Sequence, residues 1–369
     1  MNMKINWSTK AAALSCLGIS VVFFNLFSSS NAQSPLIKSV TRLREERNPR
    51  VFVANQQDNT VTVIDAVTLK PIGQPIQIGT SPQGIGVAPG VPPNNPRVFV
   101  TNGQDGTLTV IDAVTLQLIG PRLPAGSDPS LVAAAPDAAR VFISVAGEDM
   151  VLVLDTVTLK QIGPPIRVGD NPVGVALSPA ASPDHPRLFV ANMADDTVTV
   201  IDAVTLQQIG PPIRVGKAPA FAVAVSHVVP PRKSRIFISL SGDNSVTMID
   251  ALTLKPDARL VKVGKLPFGV ALSPDNTRLF VANSTDNTVT VIDSMTLKQI
   301  GRPIPVGKEP VGIAVSPALP PHNSRVFVTN GSDNTVTVID AVTLKQVGPP
   351  IQVGKGPFGI AVSPNKRRA

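Results

Sequence analysis

Hydrophobic positions in this chain come in short bursts separated by turn-forming residues. "RLFVAN" (Arg278–Asn283) and "NTVTVID" (Asn287–Asp293) are dense in β-branched and aromatic residues, and the "STDN" between them supplies turn chemistry. "SMTL" follows as a tight connection. "KQIGRPIPVG" then reads as a strand interrupted by Gly and Pro, suited to a sheet edge. "PVGIAVSP" (Pro310–Pro317) completes the unit as a short apolar strand whose Gly and Ala permit close backbone approach. The pattern predicts four short strands per unit, joined by hairpins.

This unit is written seven times. The opening arginine recurs as Arg50, Arg97, Arg140, Arg187, Arg235, Arg278 and Arg325. The aspartate of "VID" recurs as Asp65, Asp112, Asp155, Asp202, Asp250, Asp293 and Asp340. Both series step by 47, 43, 47, 48, 43 and 47 residues. Four strands in a period of that length predict the blade of an all-β, seven-bladed β-propeller. The first unit lacks an inner strand before "RVFVAN", and the chain ends with a spare one, "GPFGIAVSPNKRRA". The C-terminal strand is therefore expected to join the first blade and close the ring, which also removes exposed sheet edges. A solenoid, the other architecture of this period, requires caps at both ends.

The quoted motifs resemble the YVTN-type β-propeller repeat proteins of prokaryotic cell envelopes. The Tyr-Val-Thr-Asn signature stands here as "FVTN" at Phe99–Asn102 and Phe327–Asn330 and as "FVAN" in three other units. "TVTVID" and "VGKxPxGIAVSP" also match, over Arg50 to the C-terminus. The resemblance implies the propeller fold. It leaves function open among surface-layer proteins, proteins assigned nucleic-acid binding, and sugar-lactone hydrolases. The chain departs from the pattern in having Phe for the signature Tyr, and in placing Val145 and Leu240 where the motif has Asn.

The N-terminus changes the picture of where the protein works. Lys4 and Lys10, an apolar core over residues 11–27 and a small-residue end, Ser30-x-Ala32, make residues 1–32 a secretory signal peptide. A retained membrane anchor is the competing reading. Residues 33–49 form an arm outside the repeat, and residues 50–369 the propeller. The expected location is the periplasm or cell surface. The sole Cys, Cys16, and sole Trp, Trp7, lie in the leader, so the mature chain folds without disulfides. Loss of Lys4 and Lys10 takes the formal charge from +8 to +6, which permits an anionic partner without demanding one.

The acids are the first candidates for chemistry. Each "VID" aspartate is followed by a turn and a Thr, and its carboxylate suits the backbone N–H groups two and three residues on; a structural turn role is expected for all seven. A second series, Asp58, Asp105, Glu148, Asp195, Asp243, Asp286 and Asp333, falls in the hairpin between the second and third strands. The two series take 14 of the 25 acids, which leaves few for catalysis. His185, His227 and His322 lie in Pro-rich loops at unmatched positions. No nucleophile–base arrangement, zinc spacing or phosphate loop is visible, so no catalytic residue, metal or cofactor is assigned.

The repeats disagree after the Gly that ends each outer strand: Thr80, Ser127, Asp170, Lys217, Lys265, Lys308 and Lys355. Four successive lysines in the linkers to the next inner strand predict a basic arc on one face. Phe268 and Phe358, and also Phe221, stand nearby in sequence where other units carry smaller residues. The chain is expected to be a non-catalytic binding or interaction scaffold whose ligand face holds Lys217, Lys265, Lys308, Lys355, Phe268 and Phe358. Its partner would be a protein, a polysaccharide or another anionic envelope component. A sugar-lactonase-like hydrolase, which would draw on loop acids such as Asp128, Asp170 and Glu309, and a nucleic-acid-binding propeller are the alternatives.

Overall fold

The computed structural model describes residues 48–90, 95–135, 137–178, 185–226 and 234–364, without the side chains of Phe221 and Ala222. Residues 1–32, expected to be a signal peptide, all of the expected arm but Asn48 and Pro49, and His227 lie outside the described residues.

Why the chain forms blades follows from which residues face which neighbour. In the sixth unit Pro267–Leu272 is the inner strand, followed outward by Arg278–Asn283, Thr288–Asp293 and Ile304–Pro305. Six other sheets repeat this order, all antiparallel, giving seven four-stranded blades in a ring. The second and third strands are buried along nearly their whole length, because each blade is covered on both faces by its neighbours.

The core therefore lies between blades. Phe52, Phe99, Phe142, Phe189, Phe237, Phe280 and Phe327 are fully buried, one from each second strand. Phe52 packs with Val98, Val100 and Ile111 of the next blade, and Phe327 packs with Val51, Val53 and Ile64 of the first. These pockets are apolar, so the missing tyrosine hydroxyl has a reason: a buried O–H there would need a partner.

The ring closes as the sequence predicts. Pro357–Val362 pairs with Arg50–Asn55, with Val51 opposite Val362 and Val53 opposite Ile360. Ser363 locks the seam, its N–H bonding the Arg50 carbonyl and its Oγ accepting the Arg50 N–H at 2.9 Å. Neighbouring inner strands approach so closely that a Cβ on Gly359 would lie 2.0 Å from the Gln83 carbonyl oxygen.

The outer strand is shorter than its sequence suggests. It shrinks to two residues, such as Ile304–Pro305, plus an isolated bridge such as Ile292 to Gln299. Gly301, at φ +66°, turns the chain between them, and the prolines lack the N–H a longer ladder needs. The third blade's hairpin also contains a one-turn 3-10 helix, Ala146–Glu148.

The turn between third and outer strands is the same in every blade. The Asp oxygen Oδ1 accepts the N–H groups two and three residues on; for Asp65 these are Val67 at 2.8 Å and Thr68 at 2.7 Å. The Leu that ends the turn donates its N–H to the Asp carbonyl, as Leu69 does to Asp65 at 2.9 Å. It does so in the left-handed region, at φ +58° to +62° in all seven copies. That conformation costs a non-glycine residue roughly 1–2 kcal/mol, offset here by the closed turn and by packing of the Leu side chain.

Candidate functional site

The linkers from outer to inner strand share one face with the hairpins between second and third strands, and backbone donors decide their contacts. In every linker the first N–H after the glycine position goes to the next blade's hairpin acid. Lys217 donates to Asp243 at 2.7 Å, Lys265 to Asp286 at 2.8 Å, Lys308 to Asp333 at 2.7 Å and Lys355 to Asp58 at 2.7 Å. Thr80, Ser127 and Asp170 donate in the same way to Asp105, Glu148 and Asp195. The following N–H goes back to the preceding blade, as Leu266 does to Asn244 at 2.8 Å and Gly356 to Asn334 at 2.9 Å. Two adjacent amides thus staple six of the seven linkers to two blades; in the remaining one the preceding hairpin has Gly106, with no side chain to accept from the Asp128 N–H.

The second acidic series is accordingly bound to backbone donors. Of the loop acids, Asp128 accepts from the Gln83 amide at 3.0 Å, Glu309 accepts from the Ser332 hydroxyl, and Asp170 is exposed. Among the described residues no three His, Cys, Asp or Glu side chains are grouped as a metal site would require.

Lys217, Lys265, Lys308 and Lys355 are all exposed, and among the described residues none of their ammonium groups is in an ion pair. They occupy four successive linkers, but each stands beside the carboxylate that holds its own N–H. The arc alternates in charge and is not a uniform basic field. Phe268 and Phe358 are half-buried on the inner strands; their carbonyls accept the hydroxyls of Ser239 at 2.6 Å and Thr329 at 2.8 Å. The backbone of Phe221 lies in an inner strand.

The opposite face carries the Asp turns. Burial would raise the Asp112 carboxyl, but the Thr115 N–H, the Asn95 amide and the Val114 N–H hold it below the ordinary range. In Asp155 and Asp293 the Thr158 and Thr296 N–H groups are the leading cause of the same lowering. His185 Nδ1 lies 2.9 Å from Asp202 Oδ2, so this histidine belongs to a turn. His322 pairs its backbone with Leu319 on the same side. A shallow surface groove beside Asn95, Arg97, Thr156 and Val157 has a volume of about 10 Å³, room for about one water, far below the roughly 300 Å³ of typical ligand sites.

Two structural groups were present in the sequence only as landmarks. Each opening arginine reaches the next blade and donates to the two carbonyls following its turn Asp. Arg50 bonds Ala113 at 2.7 Å and Val114 at 2.6 Å, and Arg325 bonds Ala66 and Val67 across the seam, both at 2.7 Å. The motif Asn donates to two threonines: Asn330 to Thr335 and Thr337, both at 2.9 Å. In the third blade Val145, Met150 and Leu152 replace all three residues and are buried together. In the fifth blade the Asn is replaced by Leu240 and the first Thr by Ser245, whose Oγ is left buried without a partner.

No protein-family model and no curated protein matches the sequence. Solved structures share its fold. A functionally unknown protein from Desulfotomaculum acetoxidans aligns at TM-score 0.68 and 16% identity over 86% of this chain and 100% of its own. Kuenenia stuttgartiensis hydrazine synthase aligns at 0.65 and 18% over 82% and 94%. Virginiamycin B lyase from Staphylococcus aureus aligns at 0.58 and 13% over 75% and 87%. At these identities the likeness concerns fold alone, and neighbours on this fold include enzymes.

Proposed function

We propose that the chain is an exported binding scaffold of the YVTN type, acting in the periplasm or at the cell surface, which holds an anionic partner on the linker face. The observation that carries this reading is the set of four exposed, unpaired ammonium groups in successive linkers, Lys217 to Lys355, where the other three linkers carry Thr80, Ser127 and Asp170. The interleaved carboxylates favour a partner with separated anionic groups, such as an acidic polysaccharide or an acidic protein segment. They oppose a closely spaced phosphate backbone, which calls for a continuous basic track. The signal-peptide pattern of residues 1–32 supports export.

The test is capture of partners from an envelope extract by the chain from Gln33, at low and high salt, with Lys265→Glu/Lys308→Glu beside it. Two reversed rim charges are expected to weaken the partner about tenfold. A captured partner indifferent to both salt and the reversals overturns the reading.

A further inference from the structure

Apart from the linker face, one position is chemically regular in a way the fold does not require. The residue two after each turn Asp is Val67, Val114, Val157, Val204, Leu252, Met295 or Val342. Its backbone is fully used: the N–H goes to the Asp carboxylate and the carbonyl to the preceding blade's Arg. In five of the seven its side chain stands largely in solvent, whereas Val114 is half-buried and Val67 packs against the core at the seam. Val157, Val204, Leu252, Met295 and Val342 are 45%, 47%, 50%, 44% and 56% exposed, in five successive blades. Single exposed apolar residues are ordinary, but five equivalent ones on one face form a set, and a solvated turn tip has no need of a hydrophobic residue.

Lysines flank these tips. Five residues after the turn Asp, on the rim of the same face, stand Lys70, Lys160, Lys255, Lys298 and Lys345, all exposed. The seven turn aspartates and seven clamp arginines of this face offset one another in charge. Asp257 is neutralised by Arg259 at 2.7 Å. Against the five lysines that leaves Asp137 and Asp275 among the described loop residues, so the face is net positive. The chain also enters the ring here: the Pro49 carbonyl accepts the Ala66 N–H, and Asn48 bonds Asp65.

We infer that the turn face is a docking surface for a bilayer carrying anionic lipid: Leu252, Met295 and Val342, with Val157 and Val204, dip into the interfacial region while the rim lysines meet the headgroups. Apolar side chains above a cationic rim are the composition that binds such interfaces. The ring would lie flat, with the linker face turned away and open to its own partner. The proposal is independent of the linker-face reading.

Residues 33–369 contain all 28 strands of the described residues, and this chain, free of the apolar leader, is the one to test by co-sedimentation with phosphatidylglycerol–phosphatidylcholine vesicles and with phosphatidylcholine alone. Binding is expected only to the anionic vesicles. It should weaken on raising salt, and by roughly fivefold for each of Lys255, Lys298 and Lys345 changed to Gln. The tip variant Leu252→Ser/Met295→Ser/Val342→Ser should lose binding at least tenfold with a nearly unchanged melting temperature, since about half of each side chain is already in solvent and none is part of the buried core. Charge reversal at Lys217, Lys265, Lys308 and Lys355 should leave it largely intact. Absence of binding to anionic vesicles overturns the proposal, as does binding that survives the tip variant. A sedimentation-velocity dimer that the tip variant abolishes, without any vesicle binding, would assign the face to a second copy of the chain instead.

Discussion

Replacing Arg325 by Met probes the ring at its seam. One guanidinium nitrogen of this nearly buried side chain holds both the Ala66 and Val67 carbonyls at 2.7 Å, joining the seventh blade to the first. Hydrogen bonds from a charged donor contribute about 1.5–3 kcal/mol each. Two bonds shared by one nitrogen fall short of twice that, and the cost of burying the cation disappears with it. Water can reach the half-buried Val67 carbonyl, whereas Ala66 is fully buried. A loss of about 2–3 kcal/mol follows. For a ring of roughly 300 residues, at ~2.1 cal/mol/K of unfolding entropy per residue, this lowers Tm by about 3–5 °C. Arg140 makes the equivalent bonds to Ala203 and Val204 at 2.9 and 3.1 Å from a more exposed position, and Arg140→Met should lose about half as much. The acceptors are neutral carbonyls, so the loss should persist in about 1 M salt, where surface ion pairs fade. Far-UV circular dichroism or calorimetry is the assay, because the chain from Gln33 has neither Trp nor Tyr to report by fluorescence. Arg325→Met melting within a degree of the parent would refute the clamp as a source of stability.

Three other outcomes are expected. Ser245→Ala removes a buried hydroxyl left without a partner by Leu240 and should be neutral or stabilising by up to about 1 kcal/mol, whereas Thr335→Ala should cost about that much; equal effects in chemical denaturation would contradict the pairing. Asp112, Asp155, Asp202, Asp293 and Asp340 have lowered folded-state pKa values, so their contribution is complete above the unfolded value near 4 and is lost as acid protonates them below it; Tm should be level at mildly acidic pH and fall below about pH 4, less steeply in Asp155→Asn. Deleting residues 357–369 removes the inner strand of the first blade and exposes the edge of Arg50–Asn55, so the truncated chain should aggregate or melt far below the parent; an unchanged Tm would exclude closure by this strand.

Blade number, strand order and the closing strand were all legible because they are written in local periodicity, and each copy repeats the message. The stapling of the linkers was not. Asp286 and the Lys265 N–H it accepts are 21 residues apart, and across the seam Asp58 and Lys355 are 297 apart. Only the ring makes both pairs equivalent. The arginine clamps were hidden for the same reason: Arg50 and the carbonyl of Ala113 are 63 positions apart, in adjacent units. A signal was present in the constant spacing, since an arginine and a turn that keep step across seven units are placed to meet between blades. The outer strand was overestimated because β-branched content outweighed Gly301 and the prolines. The basic arc was legible as four lysines, but the carboxylate beside each becomes a neighbour only once the hairpins fold over the linkers.

Repetition alone does not separate scaffold from function in such a ring. The turn aspartates, the clamp arginines and the motif asparagines recur, and a named hydrogen bond accounts for each of those side chains. The linker lysines do not recur in all blades, and no bond of the fold uses their ammonium groups. By that measure the residues two after each turn Asp belong with the lysines despite their regularity. Their backbone is committed and their side chains are not, as the contrast within one turn shows: Asp293 binds the N–H groups of Met295 and Thr296, Arg235 binds the Ser294 and Met295 carbonyls, and the Met295 side chain stands 44% exposed. A hydrophobic residue kept at seven equivalent positions, five of them solvent-facing, lowers solubility unless something covers it. Thr, present at the next position of every turn, shows that a polar β-branched residue fits the same local geometry. The apolar choice two residues after the Asp is what the proposed membrane docking would explain, and the two faces of this propeller present different chemistry: alternating linker charges on one, apolar tips and rim lysines on the other.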